Sequence, residues 1–393
     1  MSAMAWFSRN KPLRYTVATL GLAAGLLVLS QYADRLRIND FIGYWSAARL
    51  NLNRQDPFSI QLLLDLQRQA GYQYDYPHIV WNPPWVMSLI TPLGWLARPL
   101  AQMLWLLLNT GAVLISADKA WQIYGGAPRL RWVALLVGFT FTPTFFALAW
   151  TGQISPLLLP GIVGFLIYYQ EPQKGWLAGL LAALAAIKPQ IPYLFFIALL
   201  LWCLSRRRWD ILAGFAATLA GATLIALAIN PPLIHYYIQA LLNTPPAGWA
   251  TPTIGTYLRL WLSPTSFWLQ FIPPILGAGW LIFHWYRQQQ KWNWVEQMPI
   301  LLLASFITSA YTWTYDQVLL TLAAIQGFVW ATSHRRPVLL LAASAAYLAL
   351  NYIYLRLHFR LDDLWFIWFT PVLLLWYLAV RWLHNKTISH ETV

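Results

Sequence analysis

Charge is what this 393-residue chain has least of: 10% of its residues are charged, and Asp and Glu together number 13. A soluble globular protein carries about 25% charged residues. With 59% hydrophobic residues and a mean hydropathy of +0.50, the chain reads as a polytopic membrane protein. Cysteine is nearly absent, and the lone Cys203 excludes an intramolecular disulfide and a cysteine-based metal site. Also missing are a phosphate loop with Gly-Lys-Ser, a dinucleotide fingerprint, His-Glu-x-x-His and Gly-x-Ser-x-Gly. Their absence argues against nucleotide-sugar and ATP chemistry and favours a substrate delivered through lipid. Internal repeats and low-complexity tracts are lacking as well.

What the chain does have is apolar runs separated by short basic clusters. A helix needs roughly 20 apolar residues to cross about 30 Å of hydrocarbon, and on that rule about twelve spans are expected. They lie near 13–30, 100–118, 131–149, 154–169, 175–187, 190–204, 209–229, 266–286, 297–312, 315–331, 337–354 and 364–382. The first run has a basic flank and no small-residue cleavage site, so it is read as a retained signal anchor. With the N-terminus inside, most of the 26 basic residues fall on the inner face, which places both termini in the cytoplasm. The net charge of +13 is accordingly read as a topogenic signal, with no nucleic acid partner. The fold expected is one all-α domain over 1–393 in the plasma (inner) membrane, with extracytoplasmic loops at 31–98 and 230–264.

The loop at 31–98 holds five of the thirteen acids: Asp34, Asp40, Asp56, Asp65 and Asp75. Asn39 or Asp40 either caps the aromatic helix that follows, or Asp40 is a catalytic base; the two are compatible, because a helix N-terminus keeps a carboxylate ionised. Asp56-Pro57 is read as the structural opening of a surface helix, Phe58 to Ala70, with Leu62, Leu63 and Leu66 turned toward the membrane. Pro83 to Ala97 is read as a re-entrant or interfacial helix, capped by Asn82 and with two prolines in its first turn. The rings Tyr72, Tyr74, Tyr76, Trp81 and Trp85, with His78, read first as an interfacial aromatic belt. Beyond the loop, Lys188 interrupts an apolar run just before Pro189. It either snorkels to the interface or is a functional cation. Gln153, close to Trp150, is either a sugar-binding amide or an anchor, and Asp316 is either a rival base or a cap. Arg259 and His235 are second-rank cationic candidates. Gly175-x3-Gly179 has the spacing of a helix-packing face.

The run Asn39-Asp40-Phe41 with Tyr44 and Ala47-Ala48, then Asp56-Pro57-Phe58, Tyr76-Pro77 and Asn82-Pro83-Pro84, resembles the first external loop of glycosyltransferase family 87. That family comprises polyprenyl-phosphate-mannose-dependent mannosyltransferases and relatives within the GT-C superfamily. The resemblance continues in Gly152-Gln153, in Gly179 to Pro189 and in Trp313 with Tyr315-Asp316-Gln317. It implies a GT-C-like helical bundle that moves a sugar, mannose first among the expectations, from a polyprenyl-phosphate donor to a lipid or glycan acceptor outside the membrane. It also implies Asp40 as general base, Lys188 at the donor phosphate with Arg259 and His235 behind it, and Tyr44, Gln153, Trp313, Tyr315 and Asp316 at the sugar or acceptor. No cofactor is called for. Positive charge at the leaving phosphate is expected from Lys or Arg rather than from a metal, although the external acids leave a divalent ion open. The family's Trp followed by His-His is here Trp313-Thr314-Tyr315-Asp316, a departure that bears on the acceptor. Two other classes stay in view: a transporter or flippase, opposed by the asymmetry of the chain and the scarcity of carboxylates in its spans, and a lipid-linked glycan polymerase or ligase, which the loop at 230–264 keeps open.

Overall fold

Prolines and glycines decide where the apolar runs break and which helix faces can meet. The computed structural model describes residues 40–244, 249–333 and 337–391, side chains of 337 and 387–391 excepted. The expected anchor at 13–30, Asp34 and Asn39 lie outside the described residues. Among the described residues there is no strand. Five helices are long and apolar enough to cross a membrane: Arg98–Ile123, Trp209–Ile229, Phe267–Lys291, Val338–His358 and Asp363–Lys386. Helices also occupy the other expected positions beyond residue 98, but they are broken or short. Pro128–Thr140 and Thr142–Trp150 meet at 63°, and Ser155–Tyr168, Tyr193–Arg206 and Trp294–Thr308 are shorter apolar helices. The 11-residue helix Gly175–Ala185 is only roughly 17 Å long, against about 30 Å of hydrocarbon. Among the described residues, helix length and composition alone support five full spans, or six if the bent pair is one span, and do not confirm about twelve.

The segment around Asp40 is folded into the protein. α1 (Phe41–Leu52) has ten buried residues among its 12, the pattern of an enclosed helix rather than one lying on a surface. In α2 (Ile60–Gln69) the Ser59 hydroxyl accepts the Leu62 N–H at 3.4 Å, while Leu63, Leu64 and Gln67 are buried. Asp56 accepts the Phe58 N–H at 2.9 Å, so it shapes the turn before the helix, which begins two residues later than the sequence implies. α3 (Val86–Ile90) runs into a 3-10 turn at Thr91–Trp95. Two expectations are corrected here: Pro83 and Pro84 precede the helix, and the Asn82 amide donates to the Ile187 carbonyl at 2.9 Å instead of capping α3. Gly94 lets the turn lie against α1, because a Cβ there would come within 2.8 Å of the Ala48 backbone. Trp45 Nε1 donates to the Leu96 carbonyl at 3.0 Å and completes the clasp.

α4 (Arg98–Ile123) is followed by α5 (Arg131–Thr140) and α6 (Thr142–Phe145), with Phe141 extended between the last two. Backbone groups freed at such a bend have no partner in lipid. Here the Thr142 N–H is taken by Asn351 Oδ1 at 2.7 Å. A π turn, Phe146–Trp150, then leads toward Gln153. α7 (Leu158–Tyr168), α8 (Gly175–Ala185), α9 (Tyr193–Arg206) and α10 (Trp209–Ile229) pack by small residues. A Cβ on Gly179 would lie 1.9 Å from the Ile211 carbonyl, and one on Gly214 2.1 Å from that of Trp176. The Gly175-x3-Gly179 spacing is thus a face of α8 pressed on α10, and it fixes the end of α8 from which Lys188 projects. The interval 230–264 forms α11 (Leu233–Asn243) and α12 (Ile254–Leu262) rather than an extended loop. α13 (Ile272–Gln288), α14 (Trp294–Thr308), a 3-10 turn at Thr314–Leu320, α15 (Thr321–Ser333), α16 (Pro337–His358) and α17 (Phe369–Glu391) follow. Gly179→Leu must push α8 off α10 and lower stability by at least about 1–3 kcal/mol; thermal unfolding in detergent checks this, and an unchanged midpoint would contradict the contact.

Candidate active site

Asp40 stands at the cap position of α1, yet its carboxylate makes no capping bond. The helix entrance is satisfied otherwise, since the N–H groups of Asp40 and Phe41 both donate to the Thr151 carbonyl, at 2.9 and 3.2 Å. The carboxylate is left for other partners. Oδ2 accepts from Gln153 Nε2 at 2.5 Å, and Oδ1 lies 3.6 Å from His78 Nδ1. Burial pushes the Asp40 carboxyl above its usual range, while His78, the Gln153 hydrogen bond and the Lys188 charge oppose that rise.

Gln153 reaches Asp40 because the π turn is followed by Gly152, whose φ of 68° lies in the left-handed region that favours glycine. Trp105 Nε1 holds the Gly152 carbonyl at 2.7 Å. Gln153 Oε1 then accepts from the Tyr44 hydroxyl at 2.8 Å and from Lys188 Nζ at 3.0 Å. Burial, then the charges of Asp40 and Asp316, push the Tyr44 phenol up, which keeps it a donor.

Lys188 is not snorkelling. Its side chain is 10% exposed and forms an ion pair with Asp316 Oδ1 at 2.8 Å, and Asp316 is 1% exposed. The Tyr315 ring centre lies 4.9 Å from Nζ. Asp316 also accepts from the Ser155 hydroxyl and, through Oδ2, from the Trp313 N–H at 2.9 Å. Asp316 therefore caps its turn and pairs with the lysine at once. With three donors on it, it is a poor candidate for a base. Asn82 on the Ile187 carbonyl and Trp85 Nε1 on that of Ala186, at 2.9 and 3.0 Å, fasten the residues leading to Lys188 to the 82–85 segment.

Three adjoining cavities surround this network. A central one of about 280 Å³ is lined by Asp40, Tyr44, Tyr76, His78, Trp81, Gln153, Trp249, Trp313 and Tyr315, among others. A smaller one of about 120 Å³ shares several of these walls and adds Asn82, Lys188, Gln190 and Asp316. A wide one of about 750 Å³ meets the central cavity at Asp40, Tyr76, His78, Trp313 and Tyr315. The structure thus brings together Asp40, Tyr44, Gln153, Lys188, Trp313, Tyr315 and Asp316. It does not bring Arg259 or His235 to any of the three cavities. Arg259 is 5% exposed and donates to the Trp249 carbonyl at 2.6 Å, so it sits behind a wall residue, while His235 is exposed on α11. Three participants, Ser155, Gln67 and His78, are not among the site candidates read from the sequence. Ser155 bonds Asp316. Gln67 grips both the N–H and the carbonyl of His78, at 2.9 and 2.8 Å, and so holds that ring beside Asp40.

The sequence profile of glycosyltransferase family 87 matches residues 81–309, more than half of the chain. The chain belongs to glycosyltransferase family 87. No curated protein and no solved structure matches it. Membership of family 87 makes this a membrane glycosyltransferase, in keeping with helices long and apolar enough to cross a bilayer. The family 87 match contains Gln153, Ser155, Lys188 and Trp249 but neither Asp40 nor Asp316. The Gln153 and Ser155 hydrogen bonds and the Lys188 ion pair join those two carboxylates to it. Breaking a buried ion pair costs about 3–5 kcal/mol, whereas replacing both partners costs far less. Lys188→Met and Asp316→Asn should each destabilise on that scale and the double variant by much less than their sum, as read from unfolding midpoints; strict additivity would contradict the pairing.

Proposed function

We propose that this glycosyltransferase transfers a sugar, mannose first among the candidates, from a polyprenyl-phosphate donor to an acceptor hydroxyl on the extracytoplasmic side, with Asp40 as general base. The observation that carries the reading is the Asp40 carboxylate. It is released from capping, fixed by Gln153, and set in a cavity whose opposite walls are aromatic and whose neighbour holds Lys188. At about 280 Å³ the central cavity is near the lower end of small-molecule sites, roughly 300–1,000 Å³, as suits one sugar ring.

In the proposed step the acceptor O–H gives its proton to Asp40 as the oxygen attacks the anomeric carbon. A C–O bond forms on one face, the bond to the phosphate oxygen breaks on the other, and its electron pair leaves with the phosphate. The leaving phosphate is already an anion and needs no proton, so one carboxylate suffices and the anomeric configuration inverts. Developing charge on that phosphate calls for a cation. Lys188 would supply it: of its three N–H donors, Gln153 and Asp316 take two.

A lipid carrier also finds a surface. An apolar groove of about 380 Å³ between α13, α14 and α17 is lined by Gly277, Trp280, Ile300, Ala304, Thr308 and Leu374, among others. Next to Thr308, the Ser309 hydroxyl donates to the Gln190 carbonyl at 3.0 Å, and Gln190 lines the Lys188 cavity. An isoprenoid chain in this groove would bring its phosphate toward Lys188.

Asp40→Asn should lower transfer by about 10²–10⁴-fold, the usual contribution of a general base, while polyprenyl-phosphate sugar still binds; undiminished turnover by purified, folded variant would overturn the assignment. The base works only when ionised, and its carboxyl is raised, so activity should fall with decreasing pH through a limb lying above the ordinary aspartate value of about 3.9. Gln153→Leu removes a hydrogen bond that favours the charged form. It should move that limb to still higher pH, and a limb that stayed put or moved down would show that Gln153 does not tune Asp40.

A further inference from the structure

The wide cavity contains a polar cluster that the proposed transfer step leaves unused. At one wall Asp363 Oδ1 accepts the Thr314 hydroxyl at 3.0 Å and lies 3.9 Å from His358 Nε2. The His358 ring is held by Phe146, 3.6 Å away between ring centres, and stacked on Tyr354 at an interplanar angle of 7°. Its Nδ1 is buried without a hydrogen-bond partner, an arrangement that usually has a reason. At the other wall Tyr74 and Tyr76 present rings that are 62% and 52% exposed.

Charge and size narrow what fits between these walls. Asp40, Asp75 and Asp363 line the wide cavity, and among the described residues no lysine or arginine does. Asp75 is paired with Arg68 at 3.0 Å, so a phosphorylated or otherwise anionic molecule would meet chiefly the carboxylates of Asp40 and Asp363, with no lysine or arginine lining the cavity beside them. Lys188 lies on the other side, in the small cavity that adjoins the central one. By the same measure the wide cavity holds about 750 Å³ against about 280 Å³ for the central cavity, enough for more than one ring. Flat aromatic faces suit the C–H faces of a sugar, and a carboxylate accepts neighbouring hydroxyls through both oxygens. Asp40 lines the central and wide cavities but not the small one.

We infer that the wide cavity is the acceptor site and that it takes an uncharged saccharide of two or more units, stacked on Tyr74 and Tyr76 and hydrogen-bonded by Asp363 and His358. This rests on the glycosyl-transfer reading above, since it assigns the acceptor of that same reaction. Asp40 then stands at the boundary between donor sugar and acceptor hydroxyl, where a base is required. The Trp313–Tyr315 pair, stacked at 6.3 Å, forms a wall common to all three cavities.

The test uses full-length protein in nanodiscs, exposed to an array of neutral di- to tetrasaccharides and of their uronate-containing and phosphorylated counterparts. Neutral saccharides should be captured and anionic ones not. Tyr74→Ala, an exposed position at which folding is not at stake, and Asp363→Asn should each weaken capture at least tenfold. Trp261→Ala, a ring 77% exposed that lines none of the three cavities, should leave capture unchanged. Capture of no neutral saccharide, equal capture of anionic ones, or indifference to both cavity variants would overturn the inference. Release of polyprenyl phosphate from polyprenyl-phosphate sugars, measured in parallel, separates the two readings. If release depends on Asp40 while capture fails, only the acceptor assignment falls; if capture holds without any release, the donor reading falls and the saccharide site stands.

Discussion

One side-chain amide holds the candidate site together. Gln153 spends its nitrogen on Asp40 and its oxygen on both Tyr44 and Lys188. The reverse orientation would set its N–H groups against a phenol hydroxyl and an ammonium group and its oxygen against a carboxylate, so donor and acceptor chemistry permits only this one. The amide thereby passes a fixed distance from the lysine to the aspartate without letting the two charges meet. A direct ion pair would have tied up the Asp40 carboxylate. Lys188 is instead matched by Asp316, which is more deeply buried and anchored by its own turn.

Everything that surrounds the amide serves its placement. The π turn and the left-handed Gly152 bring Gln153 inward, the glycine face of α8 on α10 sets the end from which Lys188 projects, and α1 is clasped by the 91–96 segment so that Asp40 faces Thr151. Short helices follow from the same requirement. Breaks at Phe141, around Pro156 and around Pro189 interrupt what would otherwise be longer spans, and they deliver polar side chains and turning backbone to one place. Such backbone is tolerated in a membrane protein only where protein or a cavity satisfies it. Buried polar networks of this kind strengthen interactions that would be weak in water and penalise any member left without a partner.

Much of the site was legible in the sequence because polar residues are rare in it. Asp40, Gln153, Lys188 and Asp316 stand out against apolar runs, and their motifs carried the family resemblance that the matched profile bears out over 81–309. Partnership was another matter. Contacts between residues 35, 109, 113 and 128 positions apart leave no periodic trace, so only the fold could show that Asp40 makes no capping bond and that Lys188 is buried in an ion pair. Gln67 carried a faint signal, a polar residue on the Leu63–Leu64 face of α2. His78 read only as part of an aromatic belt and Ser155 carried no signal, since each sits in an irregular stretch beside proline. Arg259 and His235 do not reach the three cavities because the interval 230–264 folds into helices that turn one inward behind Trp249 and the other outward. Asn82 looked like a cap by position and proved to be a tertiary contact.

Among the described residues Asp40 is the one carboxylate that lines the central cavity, so the proposed reaction has no second carboxylate there to form a glycosyl-enzyme intermediate. A single-displacement geometry of this kind fixes the stereochemistry of the product whatever the sugar proves to be. The most direct measurement is the anomeric configuration of the product, by NMR, after purified protein is given a polyprenyl-phosphate sugar of known configuration. Inversion at the anomeric carbon is the expected result. Retention would require a covalent intermediate or a second displacement, and would contradict Asp40 as the lone general base.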